Sequence, residues 1–158
     1  MDTTTRSNIR HIFLSPRPNF ALLTAAGLLR MPFVELKREI GVGTIVAVST
    51  GMGQRVAREE LMALALERFG LDVVEEALGE EAAGVLPEAM RLVELRARVP
   101  RYQRDVLRFL AQRDGTSVDA VLRRELEDVV CAHADEVARV LPEVAGALAW
   151  PSRAGRAD

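Results

Sequence analysis

The sequence predicts a mainly α protein built from two small modules, and three observations carry that expectation. Leu, Ala, Val, Glu and Arg dominate the 158 residues, a vocabulary that favours helices. Apolar residues recur at helical spacing, as in Phe33, Leu36 and Ile40 or in Val118, Val121, Leu122, Leu126 and Val129. One segment differs: residues 93–99 alternate strictly. Val93, Leu95, Ala97 and Val99 face one way and Glu94, Arg96 and Arg98 the other, the period of a strand.

Hydrophobic residues make up 49% of the chain but aromatics only 4%, so the core must be built from Leu, Val, Ala and Met. No apolar run reaches the roughly 18 residues that suggest a membrane span. The first ten residues are polar and lack the apolar stretch of a signal peptide. Cys131 is the single cysteine, which leaves no intramolecular disulfide. A reducing, cytoplasmic setting is expected, with no membrane association.

The net charge of −2 hides an alternation. Residues 1–70 carry nine bases and six acids, and residues 71–90 carry six acids and no base. Residues 91–124 then carry nine arginines against four acids, and residues 125–158 three arginines against seven. Two basic blocks thus alternate with two acidic ones.

Taken in order, residues 1–19 read as a flexible arm, because the start lacks periodicity and termini fray unless docked. His11 to Leu14 is the part that could form a short strand or a docked extension. Thr24 is a suitable N-cap for a short helix over 25–31. Pro32 stands at the first position of a second helix that ends near Gly41-Val42-Gly43. Residues 44–49 (TIVAVS) are strand-like, residues 50–54 (TGMGQ) form a hairpin tip, and residues 55–57 return. A third helix runs over 58–69, with Gly70 as its stop. Residues 71–90 read as an acidic helical linker. After the 93–99 strand, Pro100 opens a helix that ends at Asp114-Gly115. Thr116 or Ser117 caps the next helix, expected to continue to Leu141, where Pro142 stops it. Residues 142–158 remain as a tail.

Helix, turn, helix, two-stranded wing and helix, over about 20–69, resemble the winged helix-turn-helix of the MerR and excisionase type. The letters that carry this are LTAAGLL at 23–29, GTIVAV at 43–48 and RVAREEL at 55–61. The resemblance implies a second helix that enters the major groove, with Lys37, Arg38 and, at the wing, Arg55 touching DNA. Glu35 and Glu39 stand among those bases and depart from that pattern. A small α/β interaction module that does not touch DNA is the other reading of these residues.

An arginine-bearing strand, a helix, Gly-Thr-Ser and a second helix, over about 91–130, resemble the ribbon-helix-helix (Arc/MetJ-like) DNA-binding family. The residues that carry it are RARVP at 96–100, LRFLA at 107–111, GTS at 115–117 and LRREL at 122–126. The resemblance implies a homodimer in which two chains pair their single strands into an antiparallel ribbon that enters the major groove. Glu94, Arg96 and Arg98 would then face the bases, since a guanidinium fork can donate twice to guanine. Backbone N–H groups near Thr116 and Ser117 would hold a phosphate. The module could also serve only for dimerisation.

Cys131 and His133 are two apart, a spacing that puts helical side chains on different faces, so no metal site is expected. No nucleophile–base arrangement or phosphate-cradling glycine loop stands out. No enzyme activity and no cofactor are expected. The expected function is sequence-specific binding of double-stranded DNA, as a bacterial transcriptional regulator or a mobile-element or plasmid-maintenance factor. An antitoxin autorepressor and a dimeric scaffold without DNA binding are the alternatives.

Overall fold

The first helix, α1 (Thr3–Leu14), begins where Asp2 accepts a hydrogen bond from the Thr5 backbone N–H at 2.8 Å. Its Thr5, Ile9, Ile12 and Phe13 recur at helical spacing and are buried. The sequence expectation of a flexible arm over 1–19 is therefore corrected. Thr, Ser and Asn are poor helix formers, but burial of one apolar face outweighs them. His11 to Leu14 is the last turn of this helix and not a strand.

The computed structural model describes residues 1–51, 53–148 and 150–151. They fall into two compact units, Met1–Leu92 together with the chain from Ala147 onward, and Val93–Gly146. In the first unit α1 is followed by β1 (Asn19–Ala21), α2 (Leu22–Leu28), α3 (Phe33–Gly41), β2 (Ala47–Thr50), β3 (Gly53–Ala57), α4 (Arg58–Phe69), α5 (Leu71–Leu78) and α6 (Ala82–Val85). The three strands form an antiparallel sheet with β3 in the centre. Phe20 pairs with Val56 across the β1–β3 register, and Thr50 faces Gly53 across the hairpin. Met52, at the expected hairpin tip, lies outside the described residues. The wing expected from two strands thus gains a third, β1, from residues with no strand-like alternation of their own.

α2 starts three residues earlier than Thr24 predicts, and its cap position, Ala21, provides no side-chain bond. β2 starts later than residue 44 because the N–H groups of Thr44 and Ile45 turn back to the Glu39 carbonyl at 3.0 and 3.2 Å. α4 coincides with its predicted span and ends at Gly70, whose φ of 85° leads directly into α5. That positive φ favours glycine, and a Cβ there would also stand 2.8 Å from Asp72 Oδ1, which would have to turn aside.

Residues 71–90 are not a linker. Val74, Ala77, Leu78, Ala82 and Leu86 are buried in the same core as Ile9, Phe20, Leu36, Val56 and Leu61. α1 also caps two of its neighbours. Asn8 Nδ2 donates to the carbonyls of Gly27 and Leu28 at 3.2 and 3.1 Å, and Arg10 donates to those of Ala77 and Leu78. These carbonyls lie at the ends of α2 and α5, where acceptors commonly lack a partner within the helix. The Phe13 ring lies 6.4 Å from that of Trp150.

The second unit holds α7 (Arg101–Arg113), α8 (Val118–Ala132), α9 (Ala134–Val140) and the start of α10 (Pro142–Leu148). Pro100 and Ser117 occupy the cap positions of α7 and α8, as the sequence predicts. The helix expected to run unbroken to Leu141 divides at His133. Asp135 and Glu136 occupy the first turn of α9, where acidic side chains favour a new helix start. Pro142 ends α9 as expected and also opens α10, so the expected tail begins with a helix. Ala149 and residues 152–158 of the expected tail lie outside the described residues.

Candidate nucleic-acid interface

α7 packs on α8; Leu107 and Leu110 are half-buried, and only Ala111 and Val121 are buried among the described residues of this unit. Tyr102, Val106 and Phe109, spaced for one face of α7, are 66%, 52% and 63% exposed. Leu122, Leu126 and Val129 form a second exposed stripe along α8. Val93, Leu95 and Val99 are exposed as well. These exposed apolar side chains have no full cover among the described residues.

Residues 91–100 carry no regular secondary structure. A strand is defined by its ladder, and a single copy offers this segment no partner. Glu94, Arg96 and Arg98 are all exposed on it. Glu94 and Arg96 share a side: Arg96 Nε and Nη2 each donate to the Glu94 carboxylate at 3.0 Å. Arg98 has no ion-pair partner among the described residues.

The turn between α7 and α8 is held by Asp114. Arg113 donates to it at 2.6 and 3.2 Å and Arg124 at 3.1 Å. These hydrogen bonds hold the Asp114 carboxyl at about 2, well below its ordinary value. Ser117 accepts from the Ala120 N–H at 3.1 Å and caps α8. The Thr116 N–H donates to the Ala111 carbonyl at 2.9 Å, so it is not open to a phosphate as the sequence expectation had it. Asp119 adds a carboxylate to the first turn of α8, which opposes an anion there.

The residues expected to touch DNA from the first unit are largely engaged. Arg38 pairs with Glu39 through Nε and Nη2 at 3.2 and 2.8 Å, and this bond draws the Glu39 carboxyl down. Lys37 Nζ stands 5.6 Å above the Phe33 ring. Arg55 is on the central strand, opposite Ala21 and Val48, and donates from Nε to Asn19 Oδ1. It is on the return strand of the hairpin, where the sequence places it, but its fork already has a partner. Arg6, Arg10 and Arg30 pair with Glu76, Glu81 and Asp2. The basic surplus of residues 1–70 is thus neutralised in large part by the unit's own acids.

Sequence reasoning passed over Arg101, Arg104 and Arg108, which stand on one side of α7. Their helical spacing is present in the sequence, but it is a weaker signal than the strict alternation of residues 93–99. A depression of about 640 Å³ lies beside Arg6, Arg10, Glu76 and Glu81. Its arginines already cap α5 or pair with those acids. Among the described residues there is no cluster of three or more metal-ligating side chains. No described helix is long and apolar enough to cross a membrane.

Comparison with known proteins gives no match among family models, curated proteins or solved structures.

Proposed function

We propose that the chain is a sequence-specific DNA-binding protein that acts as a homodimer. Residues 93–99 of two copies pair into an antiparallel ribbon, and α7 and α8 of both copies enclose a shared core. The observation that carries this reading is the uncovered apolar surface of the second unit: two helical stripes and an alternating segment, with two buried residues between them. Burying a Val, Leu or Phe side chain is worth about 1.5–3 kcal/mol, so these stripes favour association strongly. Pairing of Val93, Leu95 and Val99 toward that core leaves Glu94, Arg96 and Arg98 on the other face of the ribbon, available to base edges. A role in transcriptional regulation, or in mobile-element or plasmid maintenance, fits such a reader.

The second unit carries the reading better than the first. Arg38 and Arg55 have partners within their own unit, whereas Arg98 has no ion-pair partner among the described residues. The same engagement of the first unit's cations favours a second reading, a dimeric scaffold that uses the first unit to bind another protein. Retardation of genomic fragments at two salt concentrations separates the two. DNA binding predicts retarded fragments, weakened at the higher salt and resolved into preferred sites on competition. Equal mobility of all fragments at both concentrations would leave the scaffold.

A further inference from the structure

α7 has three distinct faces. Leu107, Leu110 and Ala111 are its half-buried or buried apolar positions, and Tyr102, Val106 and Phe109 form the uncovered apolar stripe. Arg101, Arg104 and Arg108 occupy the third, about a third of a turn from that stripe at 3.6 residues per turn. All three arginines are exposed. One carboxylate serves them: Asp105 takes Arg101 at 3.5 Å and Arg104 at 3.2 Å. Arg108 has no ion-pair partner among the described residues. The face therefore keeps a surplus of positive charge that the fold does not use.

We infer that this arginine face of α7 is a phosphate-binding surface that grips the backbone of duplex DNA. The inference rests on the DNA-binding reading above and extends it to residues outside the ribbon. Coverage of the apolar stripe by a second copy leaves the arginine face open, because the two point in different directions around the helix. From Arg101 to Arg108 the helix rises about 10 Å, the axial length of about three phosphate steps of one strand. Guanidinium groups suit this task, since their planar forks match phosphate oxygens. Bonds of this kind fix position without reading sequence. Asp105 limits their strength by holding two of the three forks.

The test uses the full chain and a duplex containing its preferred site. Log affinity is measured against log salt for the parent, for the combined R101Q/R104Q/R108Q variant and for Asp105→Asn. Each phosphate that is no longer neutralised should flatten the slope by about 0.9, with the same change on an unrelated duplex. Asp105→Asn releases two guanidinium groups and should tighten binding to both duplexes, which keeps the test open if the triple variant folds poorly. A parent that binds with a salt slope unchanged in both variants overturns the phosphate surface and leaves the DNA-binding reading intact. A parent that binds no duplex removes that reading and this inference together. Loss of binding to phosphatidylserine vesicles in the triple variant, with the duplex slope unchanged, would assign the face to a membrane surface and overturn the inference.

Discussion

Arg96 is held by Glu94, two residues before it, through two parallel hydrogen bonds of 3.0 Å. Residues two apart share a side only when the backbone between them is near extended. The pair thus preserves, in a single chain, the alternation that a paired ribbon requires. It also separates the two arginines of this segment. One has its fork occupied by a carboxylate, and the other has no such partner among the described residues.

That asymmetry predicts different effects at neighbouring positions. Arg98→Ala should cost about 1–3 kcal/mol of binding to the preferred site and relax discrimination there. Glu94→Gln should release Arg96, raising affinity for all duplexes while the gap between preferred and unrelated sequences narrows. Fluorescence anisotropy on matched duplexes reads both effects. Full discrimination in Arg98→Ala would remove the ribbon as the reader.

The apolar stripes predict that charge on them dissociates the protein. Phe109→Glu and Leu126→Glu each place a carboxylate where a second copy is expected, and a buried unpaired charge is strongly unfavourable. Leu95→Lys does the same beneath the proposed ribbon. Sedimentation velocity should find the parent as a dimer at micromolar concentration and the variants as monomers or aggregates. A well-folded parent monomer at that concentration would contradict the shared core.

The helical periodicity of 58–69 and the Pro100 and Ser117 helix starts were legible because local signals and packing agree there. α4 has its glycine stop, and α7 and α8 have their caps. α1 was missed for the opposite reason. Its Thr, Ser and Asn content argues against a helix, and only Thr5, Ile9, Ile12 and Phe13 betray the buried face. β1 was illegible because its three residues pair with a strand more than thirty residues later, and no local pattern encodes such a partner. The candidate site was half legible. Charge type and spacing identify arginines, but only the fold reveals that Arg38, Arg55 and Arg96 already have partners.

Asp2 gives the first unit an acid sensitivity with a defined sign. The Thr5 N–H and hydroxyl, together with Arg30, hold its carboxyl at about 2, against an ordinary value of 3.8. The folded state therefore binds fewer protons than the unfolded state in this interval. Its contribution is fully present above 3.8 and is lost as the pH falls toward about 2. Thermal midpoints of the parent should fall more steeply through that window than those of Asp2→Asn. Parallel curves would mean that the cap adds nothing to the docking of α1.

Glu60 presents the converse case, a carboxylate whose environment offers it little. It lies in the first turn of α4, where an acidic side chain suits the helix dipole. Yet it is only 2% exposed, and neither carboxylate oxygen has a hydrogen-bond partner among the described residues. An unsatisfied buried polar group costs about 1–3 kcal/mol, and more when charged. Glu60→Met keeps the length of the side chain and removes both oxygens, so it should stabilise the protein by about 1–3 kcal/mol. The gain should read as a higher urea midpoint with an unchanged slope. Glu60→Gln removes the charge but keeps the polar atoms, and should fall between parent and Glu60→Met. The reverse order, with Glu60→Met least stable, would show that the carboxylate is engaged in solution. Its position among buried apolar residues would then be a requirement of the fold and not a cost to it.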